Sequence, residues 1–301
     1  MSSGVIVTGA SGFIGCGLMS RLGPSRATAL SVREADWAKR AGALRFEDAT
    51  LVHLGGRAHQ AGVDAAAVHQ DNCVKALALA EFAQSRGLKR FVFVSSVKVH
   101  GETSRARPLV ESDVPAPADA YGRAKRDAEA GLARIARATG LELVVLRPPL
   151  VYGPGVRGNF LSLLQLASRR WPLPFALLRN RRSLVNRDNL VSAIEACIVH
   201  PRAAGRTFLV ADGPPVSTAQ LVTAIRSAME RPAGLFAFPA TGLRALAWLA
   251  GRAGEARRLT ESLEIDDSLL RSTLDWQPAQ GFEDAIGETV RWFFSTRAAR
   301  A

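Results

Sequence analysis

Tyr121 and Lys125 stand four positions apart, so on a helix both project from one face. A tyrosine in water has a pKa near ~10 and is ionised in roughly one molecule in a thousand at pH 7. An ammonium a few ångströms away favours the phenolate, and lowering the pKa by about three units corresponds to roughly 4 kcal/mol of differential stabilisation. Such a pair is suited to exchanging a proton with a carbinol. A third group, Ser96 of the pair Ser95-Ser96, lies 25 positions upstream of Tyr121. Its hydroxyl could hydrogen-bond the same oxygen and steady developing charge. A lone tyrosine–lysine pair is a common accident on a helix surface, so the elements around it decide.

Three elements would position these groups. Arg90-Phe91-Val92-Phe93-Val94 reads as a buried strand that delivers Ser95 and Ser96 at its carboxyl end, where open α/β sheets place ligands. Tyr121 opens a helix running to about Thr139. At the start of the chain, Val5-Ile6-Val7-Thr8 reads as a buried parallel strand, followed by Gly9, Gly12 and Gly15 and then by Ile14, Leu18 and Leu22 at helical spacing. Gly9 permits the tight turn, Gly12 lets the backbone approach a pyrophosphate, and Gly15 lets the helix sit close on the strand. The helix N-terminus, with Ser11, Phe13 and Ile14 around the turn, offers N–H groups and a positive dipole end to phosphates. The turn predicts a dinucleotide site, where a hydride would move to or from a nicotinamide while Tyr121 moves the proton.

The second strand is read as Ala27 to Arg33, with Arg33 24 positions after Gly9, where the adenosine ribose is met. An acidic residue there accepts the 2′-hydroxyl of NAD, whereas arginine suits a 2′-phosphate. Arg33 therefore favours NADP(H) over NAD(H), the alternative being that Glu34 or Asp36 takes the ribose. Leu51-Val52-His53-Leu54-Gly55-Gly56 is a further strand, ending in glycines as a loop passing under a cofactor would. Only 18 positions separate Arg33 from Leu51, so the usual intervening helix–strand unit is shortened and Asp48 is the nearest adenine contact. A long helix from about Asp64 to Arg86 carries Asn72 in its apolar face, either to brace the site or to bond a neighbouring helix.

These motifs together resemble the extended short-chain dehydrogenases/reductases, the family of nucleotide-sugar epimerases, dehydratases and reductases. The resemblance runs through Thr8-Gly9-x-x-Gly12-x-x-Gly15, His53-Leu54-Gly55-Gly56, Ser95-Ser96-Val97-Lys98-Val99-His100-Gly101, Tyr121-x-x-x-Lys125 and Arg147-Pro148-Pro149-Leu150-Val151-Tyr152-Gly153-Pro154. It implies that Ser96, Tyr121 and Lys125 share catalysis and that Pro148 lies along the nicotinamide. Lys98 and His100 stand where the sugar would lie, although Lys98 reads equally well as solvated. The sequence departs from many members in having His100 for tyrosine and Pro149 for asparagine. The helix element usually written NxxGT appears as Asn72-Cys73-Val74-Lys75-Ala76. The resemblance further implies that Asn159 and Arg182 hold a diphosphate, with a second arginine from Arg257-Arg258, of which Arg258 is preferred. Guanidinium groups suit phosphate oxygens. The wording of the motifs is closest to an epimerase-like branch that includes 4-keto reductases making UDP-N-acetylquinovosamine for surface polysaccharide. A UDP-hexose 4-epimerase holding NAD is the alternative. Non-catalytic relatives that sense dinucleotides or bind RNA have lost the catalytic set, which is intact here.

The expected fold is a doubly wound parallel sheet of Rossmann type. Residues 1–155 carry the dinucleotide and the catalytic groups, and 156–301 form a smaller, mainly C-terminal substrate domain, some of whose segments return to the sheet. At 301 residues, 48% of them hydrophobic, the chain can bury a large core. No apolar run reaches the roughly 18 residues of a membrane span. The first strand starts so early that no signal peptide is expected, and Cys16, Cys73 and Cys197 match no metal or disulfide spacing, so a cytoplasmic enzyme without a metal is expected. The net charge of +12 comes mostly from scattered arginines, without the aromatic-interleaved stripe of a nucleic-acid binder. An anionic small substrate or an anionic membrane surface suits that charge equally. Ser217 to Met229 reads as a capped helix, and Phe282 to Phe294 as a C-terminal one. The leucine-rich stretch Leu243 to Leu249 reads as core or a homodimer face rather than a membrane anchor.

Overall fold

A computed structural model describes residues 4–34, 36–57, 64–104 and 106–298. The nucleotide half alternates strands and helices: β1 (Val5–Thr8), α1 (Phe13–Leu22), β2 (Ala27–Leu30), α2 (Trp37–Ala41), β3 (Thr50–His53), α3 (Ala65–His69), α4 (Lys75–Gln84), β4 (Arg90–Val94), α5 (Ala120–Thr139) and β5 (Glu142–Arg147). A π-helical turn, Gln70–Val74, joins α3 to α4, with helical backbone angles at both junctions. Beyond β5 come β6 (Leu150–Tyr152), α6 (Gly158–Ala167), β7 (Leu184–Asn186), α7 (Arg187–Val199) and β8 (Thr207–Leu209). The chain then runs through α8 (Thr218–Ala228), α9 (Ala240–Leu249), α10 (Ala253–Thr260), α11 (Ser268–Leu274) and α12 (Phe282–Ala298).

Six parallel strands form the sheet in the order β2-β1-β3-β4-β5-β8. β3 pairs directly with β1, with Val5 opposite Thr50, and only the five-residue α2 lies between β2 and β3. The unit that the sequence showed as shortened lacks its own strand. Alternation along each strand sorts side chains to the two faces. Val5, Val7, Val52, Val92 and Val94 join a cluster with Leu18 of α1, Leu190 and Ile194 of α7 and Leu270 of α11. Ile6, Leu51, Phe91 and Phe93 face the other way, onto Leu79 of α4 and Leu132 of α5. The sheet is therefore covered on both faces, as a parallel sheet requires.

Segments beyond residue 156 return to this sheet, since β8 pairs with β5 and α7 packs in the first cluster. A separate cluster gathers Phe160, Leu164, Leu173, Phe175, Leu221, Ile225, Ile286 and Phe293 around α6, α8 and α12. Ser217 caps α8 through a reciprocal capping box with Gln220. The stretch expected as core or a homodimer face is largely uncovered. No residue of α9 is buried, and Leu246, Trp248 and Leu249 are 58%, 71% and 74% exposed. Leu243 packs against the cluster around α6, α8 and α12, whereas Leu246 and Leu249 are not core.

Candidate active site

The glycine turn lies at the carboxyl end of β1. Gly9 has φ +70°, in the region that favours glycine. A Cβ at Gly15 would stand 2.1 Å from the Gly9 carbonyl oxygen, so the start of α1 sits on the turn with no room for a side chain. Gly12 is the residue before α1, and its N–H donates to the Gly9 carbonyl at 2.9 Å. Ser11 is exposed, while Phe13 and Ile14 are half-buried. Leu54 and Gly55 press against Gly9, whose Cβ would meet their backbone at 2.8 Å. This is a cradle made by omitting side chains, open at a helix N-terminus, and it fits a dinucleotide diphosphate.

The loop after β3 is held by Asn72. Its Nδ2 donates to the Arg57 carbonyl at 3.1 Å and to the Val68 carbonyl at 2.9 Å. Its buried Oδ1 has no partner among the described residues and lies where a Cβ on Gly56 would be, at 2.5 Å. Asn72 braces the loop. Below it, buried His53 shares a 2.7 Å hydrogen bond with Thr8 Oγ1, and burial, with the Lys125 charge, pushes its pKa down to about 3.

β4 ends in buried Ser95 and half-buried Ser96. Ser96 caps a short 3₁₀ turn, Val97–Val99, its Oγ accepting from the Lys98 N–H at 3.2 Å. Val97 N–H donates to the carbonyl of Pro148, a buried residue just beyond β5. α5 begins beside this turn because Asp119 caps it, accepting from Gly122 N–H at 2.7 Å. A Cβ on Gly122 would stand 2.6 Å from the Lys98 carbonyl oxygen, so the helix start and the serine turn touch backbone to backbone. Tyr121 falls in the first turn of α5, half-buried, and Lys125 one turn further, buried.

Lys125 Nζ donates to the Val94 carbonyl at 3.0 Å, 4.6 Å above the Phe93 ring and 5.8 Å from the centre of the Tyr121 ring. Burial lowers its pKa to about 8, opposed by the Glu129 charge. Burial raises the Tyr121 phenol to about 12, aided by the Asp119 carboxylate. Lys125 loses its charge before the phenol ionises, so at pH 7 the site holds a neutral phenol facing an ammonium.

Other predicted residues land differently. Lys98 is engaged by Asp119 at 2.5 Å and Glu102 at 3.0 Å, so it is an ion-paired strut rather than a solvated side chain. His100 is corrected as a sugar contact. It is 6% exposed, and its Nε2 lies 2.8 Å from an Arg147 guanidinium nitrogen, in a buried group with Glu129. Asp48 is also corrected as an adenine contact. It precedes β3, its N–H donating to Gly87, at the amino edge of the sheet opposite the glycine turn. Arg33 is exposed three positions beyond β2, on the carboxyl side. Glu34 and Asp36 are both paired with Arg40, whereas Arg33 has no ion pair among the described residues. Asn159 is exposed in the first turn of α6. Arg182 donates to the Glu261 carbonyl at 3.0 Å. Its pKa is lowered by burial, raised by nearby Glu102 and lowered by the Arg258 charge. Arg258 is half-buried and near enough for its charge to be felt at Arg182, while Arg257 is exposed and paired with Glu261. Sequence reasoning missed Asp119 and Glu102. An Asp directly before the Tyr121 helix was a legible cap, and Glu102 a legible i+4 partner of Lys98.

A dinucleotide cradle, a strand-end serine and a tyrosine–lysine pair on one helix define a dinucleotide-dependent oxidoreductase of the short-chain type. Residues 5–211 match the model of the NAD dependent epimerase/dehydratase family. The chain is 39% identical over 249 residues to the UDP-glucose 4-epimerase of Vibrio cholerae, covering 81% of this chain and 76% of that protein. Two solved structures share the fold. RMD from Pseudomonas aeruginosa complexed with NADPH gives a TM-score of 0.77 at 20% identity, covering 97% of this chain and 99% of the other. The UDP-glucose 4-epimerase of Thermotoga maritima with UDP-glucose gives 0.76 at 21%, covering 98% and 99%. The chain belongs to the NAD dependent epimerase/dehydratase family.

Proposed function

We propose that this chain is a reductase of UDP-linked 4-keto sugars, acting at hexose C4 with NADPH. The reaction is of the type that converts UDP-4-keto-6-deoxy-N-acetylglucosamine to UDP-N-acetylquinovosamine for surface polysaccharide. The observation that carries this reading is Arg33, a guanidinium beyond β2 with no ion pair among the described residues, whose acidic neighbours are both engaged by Arg40. A 2′-phosphate suits that arrangement and a 2′-hydroxyl does not. Residues 1–155 would hold the dinucleotide and do the chemistry, and 156–301 would hold most of the nucleotide sugar.

Gly9, Gly12 and Gly15 would receive the diphosphate, with Gly55 and Gly56 beneath it, Asn72 holding that loop and Pro148 along the nicotinamide. A bound nicotinamide supplies the hydride. Tyr121 keeps its proton at neutral pH and gives it to the C4 oxygen as the carbonyl becomes a carbinol. Ser96 donates a hydrogen bond to the same oxygen. Lys125, charged below about 8, faces the phenolate left behind and stabilises it. Arg182 and Arg258 would grip the UDP diphosphate together with Asn159, since guanidiniums suit phosphate oxygens.

The second reading is a UDP-hexose 4-epimerase with tightly held NAD, favoured by the identity to the Vibrio cholerae protein. That enzyme would have to ionise Tyr121 before its first step. Denaturing fresh protein and identifying released dinucleotide by mass spectrometry separates them. Near-stoichiometric NAD would overturn the reductase, whereas an empty site that takes NADPH more tightly than NADH supports it.

A further inference from the structure

The surface around α9 carries large apolar side chains that none of the described residues covers. Leu246, Trp248 and Leu249 of α9 are more than half exposed, and Phe236, Leu177 and Trp171 are 44%, 50% and 69% exposed. They come from two segments laced together. Phe236 N–H donates to the Leu173 carbonyl at 2.9 Å and Ala176 N–H to the Phe236 carbonyl at 3.2 Å. Arg226 ties the Trp171 carbonyl to those of Ala233 and Gly234. The patch reaches α9 through Phe238, which packs edge-on to Phe236 and against Gly242.

The segments that build this surface are one-sided in charge, and Glu255 of the neighbouring α10 is taken up by Arg252. Residues 143–187 and 231–254 contain no aspartate or glutamate. Exposed Arg169, Arg170, Arg179 and Arg244 lie in these stretches, and none forms an ion pair among the described residues. An exposed tryptophan-and-leucine face set among uncompensated arginines matches a negatively charged bilayer surface, where the rings enter the headgroup layer and the guanidiniums meet lipid phosphates. No described helix is long and apolar enough to cross a membrane, so contact would be by lying on it. We propose that the α9 face, with the loops 169–179 and 231–239, docks the protein on an anionic lipid bilayer. The inference is independent of the sugar chemistry and goes beyond it.

The test is sedimentation of the full chain with vesicles of phosphatidylcholine alone and of equal parts phosphatidylcholine and phosphatidylglycerol. Binding is expected only to the anionic vesicles, weakening as salt is raised. Each arginine near the surface adds about fivefold to partitioning, so R169Q/R170Q/R244Q should lose about a hundredfold. W248E/L249E should not sediment, while both variants keep wild-type turnover on a water-soluble nucleotide sugar. The proposal is overturned if the wild type ignores anionic vesicles, or if neither variant changes its binding. It is also overturned if light scattering shows a wild-type dimer that W248E/L249E splits without vesicle binding, since a second copy then covers the face.

Discussion

Replacing Lys125 by Met tests whether its charge, rather than its bulk, serves Tyr121. The ammonium lies 5.8 Å from the centre of the phenol ring. At an effective dielectric of about 20, a unit charge at that distance stabilises a phenolate by about 3 kcal/mol, or roughly two pKa units. If the phenolate develops fully in the transition state, turnover should fall about a hundredfold at pH 7, with a smaller change in the sugar's KM. Stability should change less than a buried-charge deletion suggests. The variant leaves the Val94 carbonyl unpaired, which costs roughly 1–3 kcal/mol, but it also removes the desolvation penalty that depresses the lysine pKa. The assay is oxidation of reduced nicotinamide against pH, with K125R as the conservative control. In the wild type, the lysine's contribution should vanish as pH rises through about 8, a limb that K125M lacks. A K125M enzyme with wild-type kcat, or one carrying the same alkaline limb, would refute the electrostatic role.

Three further outcomes are expected. G15A should lose dinucleotide binding and melt lower, because its Cβ would meet the Gly9 carbonyl oxygen at 2.1 Å and overpacking of this kind costs typically about 1–3 kcal/mol; isothermal titration with NADPH and thermal melts check both. R182A and R258A should each raise the KM for a UDP-sugar more than tenfold with kcat retained, whereas R257A, paired with Glu261 on the surface, should change neither. Acid should unfold the protein through two histidines. The pKa of His53 is lowered to about 3, and burial beside Arg147 lowers that of His100 to about 4. Both are neutral in the folded chain when their unfolded forms begin to protonate near about 6.5. Stability is therefore fully present above that pH and falls as pH drops toward 4, by about 1.4 kcal/mol per pH unit for each proton taken up. Glu111 and Asp212, whose pKa values burial raises, work in the opposite sense and soften the slope. H100N should flatten the dependence in urea titrations at stepped pH, and an unchanged slope would count against the burial argument.

What was legible in the sequence is what chain-local geometry decides. The glycine turn, the strand carrying Ser95 and Ser96 and the helix presenting Tyr121 and Lys125 are each set within a few residues, and strand ends gather at one edge of a parallel sheet. The shortened unit after Arg33 could be counted directly. Asp48 misled because nearness along the chain does not say at which end of a strand a residue sits. His100 misled because its partner, Arg147, comes from β5, which no spacing reveals. The phenol's rise to about 12 reflects burial by the whole fold, which the tyrosine–lysine spacing cannot report. The α9 leucines have helical periodicity, but periodicity does not tell whether anything covers the face.

The measurement that bears most directly on the central claim is a single reaction. The purified chain is given a UDP-4-keto-6-deoxy sugar and NADPH, alongside UDP-glucose with no added dinucleotide, with Y121F as the control. One NADPH should be consumed for each carbinol formed at C4, a Y121F protein should bind NADPH but barely turn over, and the UDP-glucose should be unchanged. Interconversion of UDP-glucose and UDP-galactose without NADPH consumption, or full turnover by Y121F, would contradict it.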